Sequence, residues 1–189
     1  MDEILAAVQK SKNGDEQAFS RLYDEFADRL FRYIKSKINS QQQAEDILQE
    51  TFVKAWQHLN QFDIGRPEAN FNAWLYKIAT NTIYDYFRKT YRQPPGLELN
   101  EAIETPSGQD LQAEVADRME TQTVQRALEL LPAHYRAVVE LRFVQGFSVN
   151  ETAKILGRSG TATRILQFRA LKSVRKILNN NDDFQYSKI

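Results

Sequence analysis

The chain has 189 residues, 42% hydrophobic, 26% charged and 11% aromatic, a composition suited to one medium or two small folded domains. It contains no cysteine, which excludes disulfide frameworks, Cys-ligated zinc, iron–sulfur clusters and thiol catalysis. Its 25 basic and 25 acidic residues cancel, and no stretch free of Asp, Glu, Lys and Arg exceeds eight residues, far short of the roughly 20 apolar residues of a membrane-spanning helix.

The first half reads as helix throughout. Met1-Asp2-Glu3 opens it without a long apolar run, so no signal peptide is expected and the cytoplasm is the expected location. Asn13-Gly14-Asp15 is a break in which Asp15 suits an N-cap, because its side chain accepts from amides left without partners at a helix start. Ala18, Phe19, Leu22, Tyr23, Phe26, Leu30, Tyr33, Ile34 and Ile38 then recur at helical spacing. After Asn39-Ser40-Gln41 a second stripe holds Ala44, Ile47, Leu48, Thr51, Phe52, Ala55, Trp56 and Leu59. Its opposite face carries Glu45, Asp46, Gln49, Glu50 and Val53.

The loop Asp63–Glu68 precedes a third helix, with Phe71, Trp74, Leu75, Ile78, Thr82 and Tyr86 predicted inward. The opposite face reads Tyr76, Lys77, Thr80, Asn81, Tyr84, Arg88 and Lys89. Exposed aromatics interleaved with cations suit single-stranded nucleic acid, since bases stack on rings while cations hold the backbone.

Pro94-Pro95-Gly96 ends that helix. Residues 94–118 are acidic and poor in large apolar side chains, which predicts a flexible linker. A second helical domain is expected over 119–179, and 180–189 as a disordered tail. The charge is segmental: residues 71–93 are net +3, 94–120 net −6 and 148–178 net +6. Two basic segments around an acidic one suggest two contacts with a polyanion.

Within the second domain, Ser148-Val149-Asn150-Glu151 fits a capping box, and Gly157 fits a left-handed helix stop. Ser159 then caps a further helix whose predicted buried stripe is Ala162, Ile165, Leu166, Ala170, Val174 and Ile177. Its predicted outer face carries Thr161, Thr163, Arg164, Gln167 and Phe168, followed by the cations Arg169, Lys172, Arg175 and Lys176. This is a helix-turn-helix pattern, with Arg and Gln as base readers and the later cations near phosphates.

The whole resembles the extracytoplasmic-function (ECF) group of bacterial RNA polymerase sigma factors. The resemblance lies in Gly14-Asp15-Glu16-Gln17-Ala18-Phe19, in 44–56, in 71–82 with Asp85-Tyr86-Phe87-Arg88, and in Leu131-Pro132 through Phe143, Gly146-Phe147-Ser148, Gly157-Arg158-Ser159 and 166–171. It implies an all-α protein with a region 2 helical bundle over 1–93 and a region 4 helix-turn-helix over 119–179. It places Asp46, Gln49, Glu50 and Val53 against the β′ clamp helices of core RNA polymerase. It sets the loop 63–70 and Asn81 at a flipped base of the −10 promoter element. Tyr76, Lys77, Tyr84, Arg88 and Lys89 fall along the melted strand. Thr161, Thr163, Arg164, Gln167, Arg169, Lys172 and Lys176 fall at the −35 element, region 4 also meeting the β flap, and an anti-sigma factor is a further candidate partner. Gly160, Thr161 and Thr163 depart from the residues common at those positions in the family, where Glu, Gly and Val are usual.

No cofactor or metal is expected, and no enzyme: His58 and His134 stand apart, without ligand spacing or a paired nucleophile. The alternative on the sequence is a helix-turn-helix regulator that binds duplex DNA without polymerase.

Overall fold

A computed structural model describes residues 2–90 and 126–186, and the helices fall into two compact units. The first holds α1 (Asp2–Lys12), α2 (Glu16–Lys35), α3 (Gln41–His58), a 3-10 turn (Leu59–Gln61) and α4 (Phe71–Thr90). The second holds α5 (Ala133–Val139), a π turn (Glu140–Val144), α6 (Val149–Leu156) and α7 (Gly160–Tyr186). No strand occurs among the described residues. The acidic segment 94–118 lies outside them. The tail expected from 180 does not begin there as coil, since α7 continues to Tyr186.

In the first unit α1 packs on α2, α2 on α3, and α4 against both α2 and α3. Asp15 caps α2 by accepting from the Ala18 amide, and Ser40 caps α3 by accepting from that of Gln43. The stripe of α2 is buried at Ala18, Leu22, Phe26, Leu30, Tyr33 and Ile34, while Tyr23 stays 38% exposed at its margin. On α3 the same holds from Ala44 to Ala55, with Trp56 at the edge against Phe19, ring centroids 4.8 Å apart. Phe62 is wedged between Phe71 and Trp74 at about 5.5 Å from each, which anchors the start of α4.

Helix α4 differs from the single stripe read from its sequence. Phe71, Leu75 and Thr82 are buried as the spacing predicts, but Ala73, Tyr76, Ala79, Thr80 and Ile83 are buried too. A helix wedged between two others hides two sides, not one. The hydroxyls so enclosed find partners: those of Tyr33 and Thr80 lie 3.0 Å apart, and Tyr76 donates to the Arg29 carbonyl.

In the second unit α5 and α6 both pack on α7. Leu131, Val139 and Ala170 form a buried cluster, flanked by Leu128, Tyr135, Val174 and Ile177. Helix α5 widens into the π turn, closed by the Gln145 amide donating to the Glu140 carbonyl and that of Phe147 to Leu141. Gly146, at φ +74, makes the turn into the next helix.

Candidate nucleic-acid interface

Three helical faces carry the predicted residues. At 100° per residue, Asp46, Gln49, Glu50 and Val53 fall within about 100° of arc on α3. All four reach solvent, and Val53, an aliphatic side chain 55% exposed, lies at the C-terminal end of the set, one turn beyond Gln49 and Glu50. Glu50 is also tied inward, since Lys54 Nζ lies 2.8 Å from its Oε1.

On α4, Lys77, Asn81, Tyr84 and Arg88 line one stripe within about 60° of arc, and Lys89 is exposed well to its side. Tyr76 does not belong to this face. Its ring is 1% exposed and packs 4.9 Å from that of Tyr33, so its placement on an exposed aromatic surface is corrected to the core. Thr80 is likewise internal.

The loop before α4 is shaped by its own side chains. Asp63 accepts from the Gly65 amide at 3.1 Å and from Arg66 Nε at 2.9 Å. The Arg66 hydrogen bond, helped by that amide, holds the Asp63 carboxyl below its ordinary range. Asn70 then accepts from the Ala73 amide at 3.1 Å and starts α4. With a rise of about 1.5 Å per residue, Asn81 lies about 15 Å along the axis from Phe71.

In the second unit the helix-turn-helix forms as its sequence requires. Ser148 and Glu151 make both bonds of the capping box. Gly157, at φ 63° and ψ 33°, ends α6, with the Arg158 amide donating to the Ala153 carbonyl. Ser159 Oγ accepts from the Ala162 amide at 3.1 Å and caps α7.

The face of α7 is turned relative to the sequence expectation. Thr161, Arg164, Arg169, Lys172 and Lys176 are exposed, as predicted. Thr163 is fully buried and its hydroxyl donates to the Ser159 carbonyl, so it is corrected from the outer face to the inner one. A threonine hydroxyl satisfied within its own helix fills a buried site at nearly the shape of the valine that the resemblance leads one to expect there. Gln167 also lies inward, its Oε1 accepting from Arg142 Nε at 2.9 Å. Conversely Ile165, predicted inward, is 48% exposed, and Phe168 stands out at 71% between Arg164 and Lys172. Phe168 was readable as an outer residue, but its type does not announce a DNA contact. An apolar side chain at this place fits a thymine methyl in a major groove.

Among the described residues there is no group of three or more His, Cys, Asp or Glu that could hold a metal ion. No described helix is long and apolar enough to cross a membrane.

Comparison with known proteins identifies both units. Residues 22–93 match the sigma-70 region 2 family and residues 121–174 the sigma-70 region 4 family. The chain is 33% identical to the ECF RNA polymerase sigma factor SigX of Bacillus subtilis, over 85% of this chain and 84% of that protein. It is 28% identical to SigW of the same organism, over 94% and 97%. With BldN of Streptomyces coelicolor the identity is 32%, over 93% of this chain and 66% of the relative. Among solved structures it is similar to CnrH in complex with the cytosolic domain of CnrY, with a TM-score of 0.66 and 26% identity over 94% of this chain and 98% of that one. It is also similar to RpoE of Bartonella quintana, solved with the anti-sigma factor NepR, with a TM-score of 0.65 and 27% identity over 85% and 96%. The chain belongs to the ECF family of RNA polymerase sigma factors.

Proposed function

We propose that this sigma factor docks on the β′ clamp helices of core polymerase through Asp46, Gln49, Glu50 and Val53. The observation that carries the reading is Val53, exposed within an acidic arc. An exposed aliphatic side chain at the end of an acidic arc suits a specific contact, since apolar area supplies affinity while the charges set register.

Lys77, Asn81, Tyr84, Arg88 and Lys89 hold the melted non-template strand, and the preshaped loop 63–70 receives a flipped −10 base. Thr161, Arg164 and Phe168 face the −35 major groove, where Arg164 reads a base edge. Arg169, Lys172 and Lys176 lie on phosphates. Thr163 and Gln167 act from inside by fixing the orientation of α7. Region 4 also contacts the β flap. The protein works in the cytoplasm, where the polymerase is, performs no catalysis itself, and an anti-sigma factor of the kind solved with its relatives is a fitting regulator.

The test is charge reversal at Asp46 and Glu50. Core capture in a pull-down should fall while circular dichroism stays unchanged. Unchanged capture by a folded variant would show that the dock lies elsewhere.

A further inference from the structure

Between the two proposed faces of the first unit runs a single line of alternating charge. Lys54 Nζ is 2.8 Å from Glu50 Oε1 on its own helix and 3.4 Å from Asp85 Oδ2 on α4, and it donates to Thr82 Oγ1 at 3.3 Å. The other Asp85 oxygen, Oδ1, accepts from Arg88 Nη2 at 2.7 Å. The terminal members are a docking residue, Glu50, and a strand-holding residue, Arg88. The inner members are more enclosed: the Lys54 and Asp85 side chains are 29% and 35% exposed, against 44% for Glu50 and 66% for Arg88.

We propose that Lys54 is a positioning residue that couples core docking to strand capture. In the free chain Lys54 is shared between two carboxylates, so Asp85 retains Arg88. A polymerase cation that pairs with Glu50 leaves Lys54 to Asp85 alone. Asp85 then holds Arg88 less tightly, and the guanidinium turns to a DNA phosphate. Glu50 and Arg88 need not meet, because a chain of two charges carries the preference across the α3–α4 seam. Burial alone lowers the Lys54 pKa, but the Glu50 and then the Asp85 contacts outweigh it, so the ammonium remains charged throughout.

The proposal rests on the reading of Glu50 and Arg88 given above, and the experiment separates the two. Affinity for a fluorescent single-stranded −10 non-template oligonucleotide is measured with holoenzyme built from wild type, Lys54→Met, Lys54→Arg, Arg88→Gln and the Lys54→Met/Arg88→Gln pair. In wild type, Arg88→Gln should cost about two- to fivefold, the size of one exposed ion pair. In the Lys54→Met background that cost should shrink towards none, and Lys54→Arg should keep it. An equal cost in both backgrounds overturns the coupling alone. No cost of Arg88→Gln in wild type removes Arg88 from the strand face and the coupling with it.

A second arm leaves Lys54 intact. In the free chain, Glu50→Gln should raise oligonucleotide affinity about two- to fivefold, and Glu50→Gln/Arg88→Gln should abolish the gain. A gain that survives loss of Arg88, or no gain, overturns the proposal.

Discussion

Arg142 Nε donates to Gln167 Oε1 at 2.9 Å, which ties the π turn before the helix-turn-helix to α7, the helix proposed to read DNA. The same guanidinium also donates to the Phe147 carbonyl at the entry to α6. One side chain thus bridges the turn, the entry to α6 and α7. Gln167→Ala should cost about 1 kcal/mol of stability in the second unit, the usual net worth of such a bond, and weaken all −35 sequences alike. Arg164→Ala should instead relax preference at one base pair by about 1–3 kcal/mol. Binding to a −35 library distinguishes the two patterns, and a single-position effect from Gln167→Ala would mean that its amide leaves Arg142 for a base.

Salt separates phosphate contacts from base contacts. Each phosphate neutralised contributes about 0.9 to the slope of log affinity against log salt. Holoenzyme carrying Lys172→Ala or Lys176→Ala should lose affinity for every −35 sequence and show a flatter slope by about that amount. Titrations at several salt concentrations check it; an unaltered slope would take these lysines off the backbone.

Asn81 and Tyr76 share α4, five residues apart, yet differ in kind. Tyr76→Ala opens a cavity beside Tyr33 and should cost the first unit about 3–5 kcal/mol, as large aromatic truncations do. Asn81→Ala, at an exposed site, should leave stability within about 0.5 kcal/mol and lower permanganate reactivity of unpaired thymines near the start site. Thermal unfolding and footprinting of both variants provide the comparison. A stable Tyr76→Ala protein would contradict the burial.

Gly157 holds a left-handed conformation, and a Cβ added there would meet nothing within 4 Å. Gly157→Ala should therefore meet backbone strain without a clash, at about 1–2 kcal/mol. Amide hydrogen exchange along α6 and the start of α7 should quicken, while exchange in α2 and α3 stays as in wild type.

The Asp63 carboxyl is held below its ordinary value by the Arg66 hydrogen bond first, then by the Gly65 amide. A lowered folded value means that the loop gains stability above the unfolded pKa, near 3.8, and loses it as pH falls through the folded one. Carboxyl NMR should place the Asp63 midpoint below 3.8, and Arg66→Ala should move it upward. An identical midpoint in the variant would show that the ion pair does not form in solution.

Much of the first unit is legible in its sequence because α2 and α3 each bury one stripe, and a single stripe is what helical periodicity encodes. Asp15, Ser148 and Gly157 were equally legible, since each solves a local backbone problem with one residue type. Tyr76 and Thr80 were not. Their hydroxyls suggest an exposed face, and tertiary partners, Arg29 for Tyr76 and Tyr33 for Thr80, offset the cost of burial. Thr163 misleads for the same reason, its hydroxyl being silenced by the Ser159 carbonyl. Moving the inner stripe of α7 onto Thr163 then turned Gln167 inward and Ile165 outward. The Lys54 bridge depends on the pairing of α3 with α4, which no local pattern in either helix records.

The aromatic packing around Phe19, Phe62 and Phe71 has an optical consequence. The two tryptophans of the chain, Trp56 and Trp74, both lie in the first unit. Indole emission therefore follows that unit alone, while far-ultraviolet ellipticity sums both. Trp74 packs at a tilt against Phe62 and Phe71, whereas Trp56 sits 38% exposed on α3, three residues from Val53. The molecule thus carries a native fluorophore beside its proposed polymerase dock, and docking there should shift or quench the Trp56 emission without any attached dye.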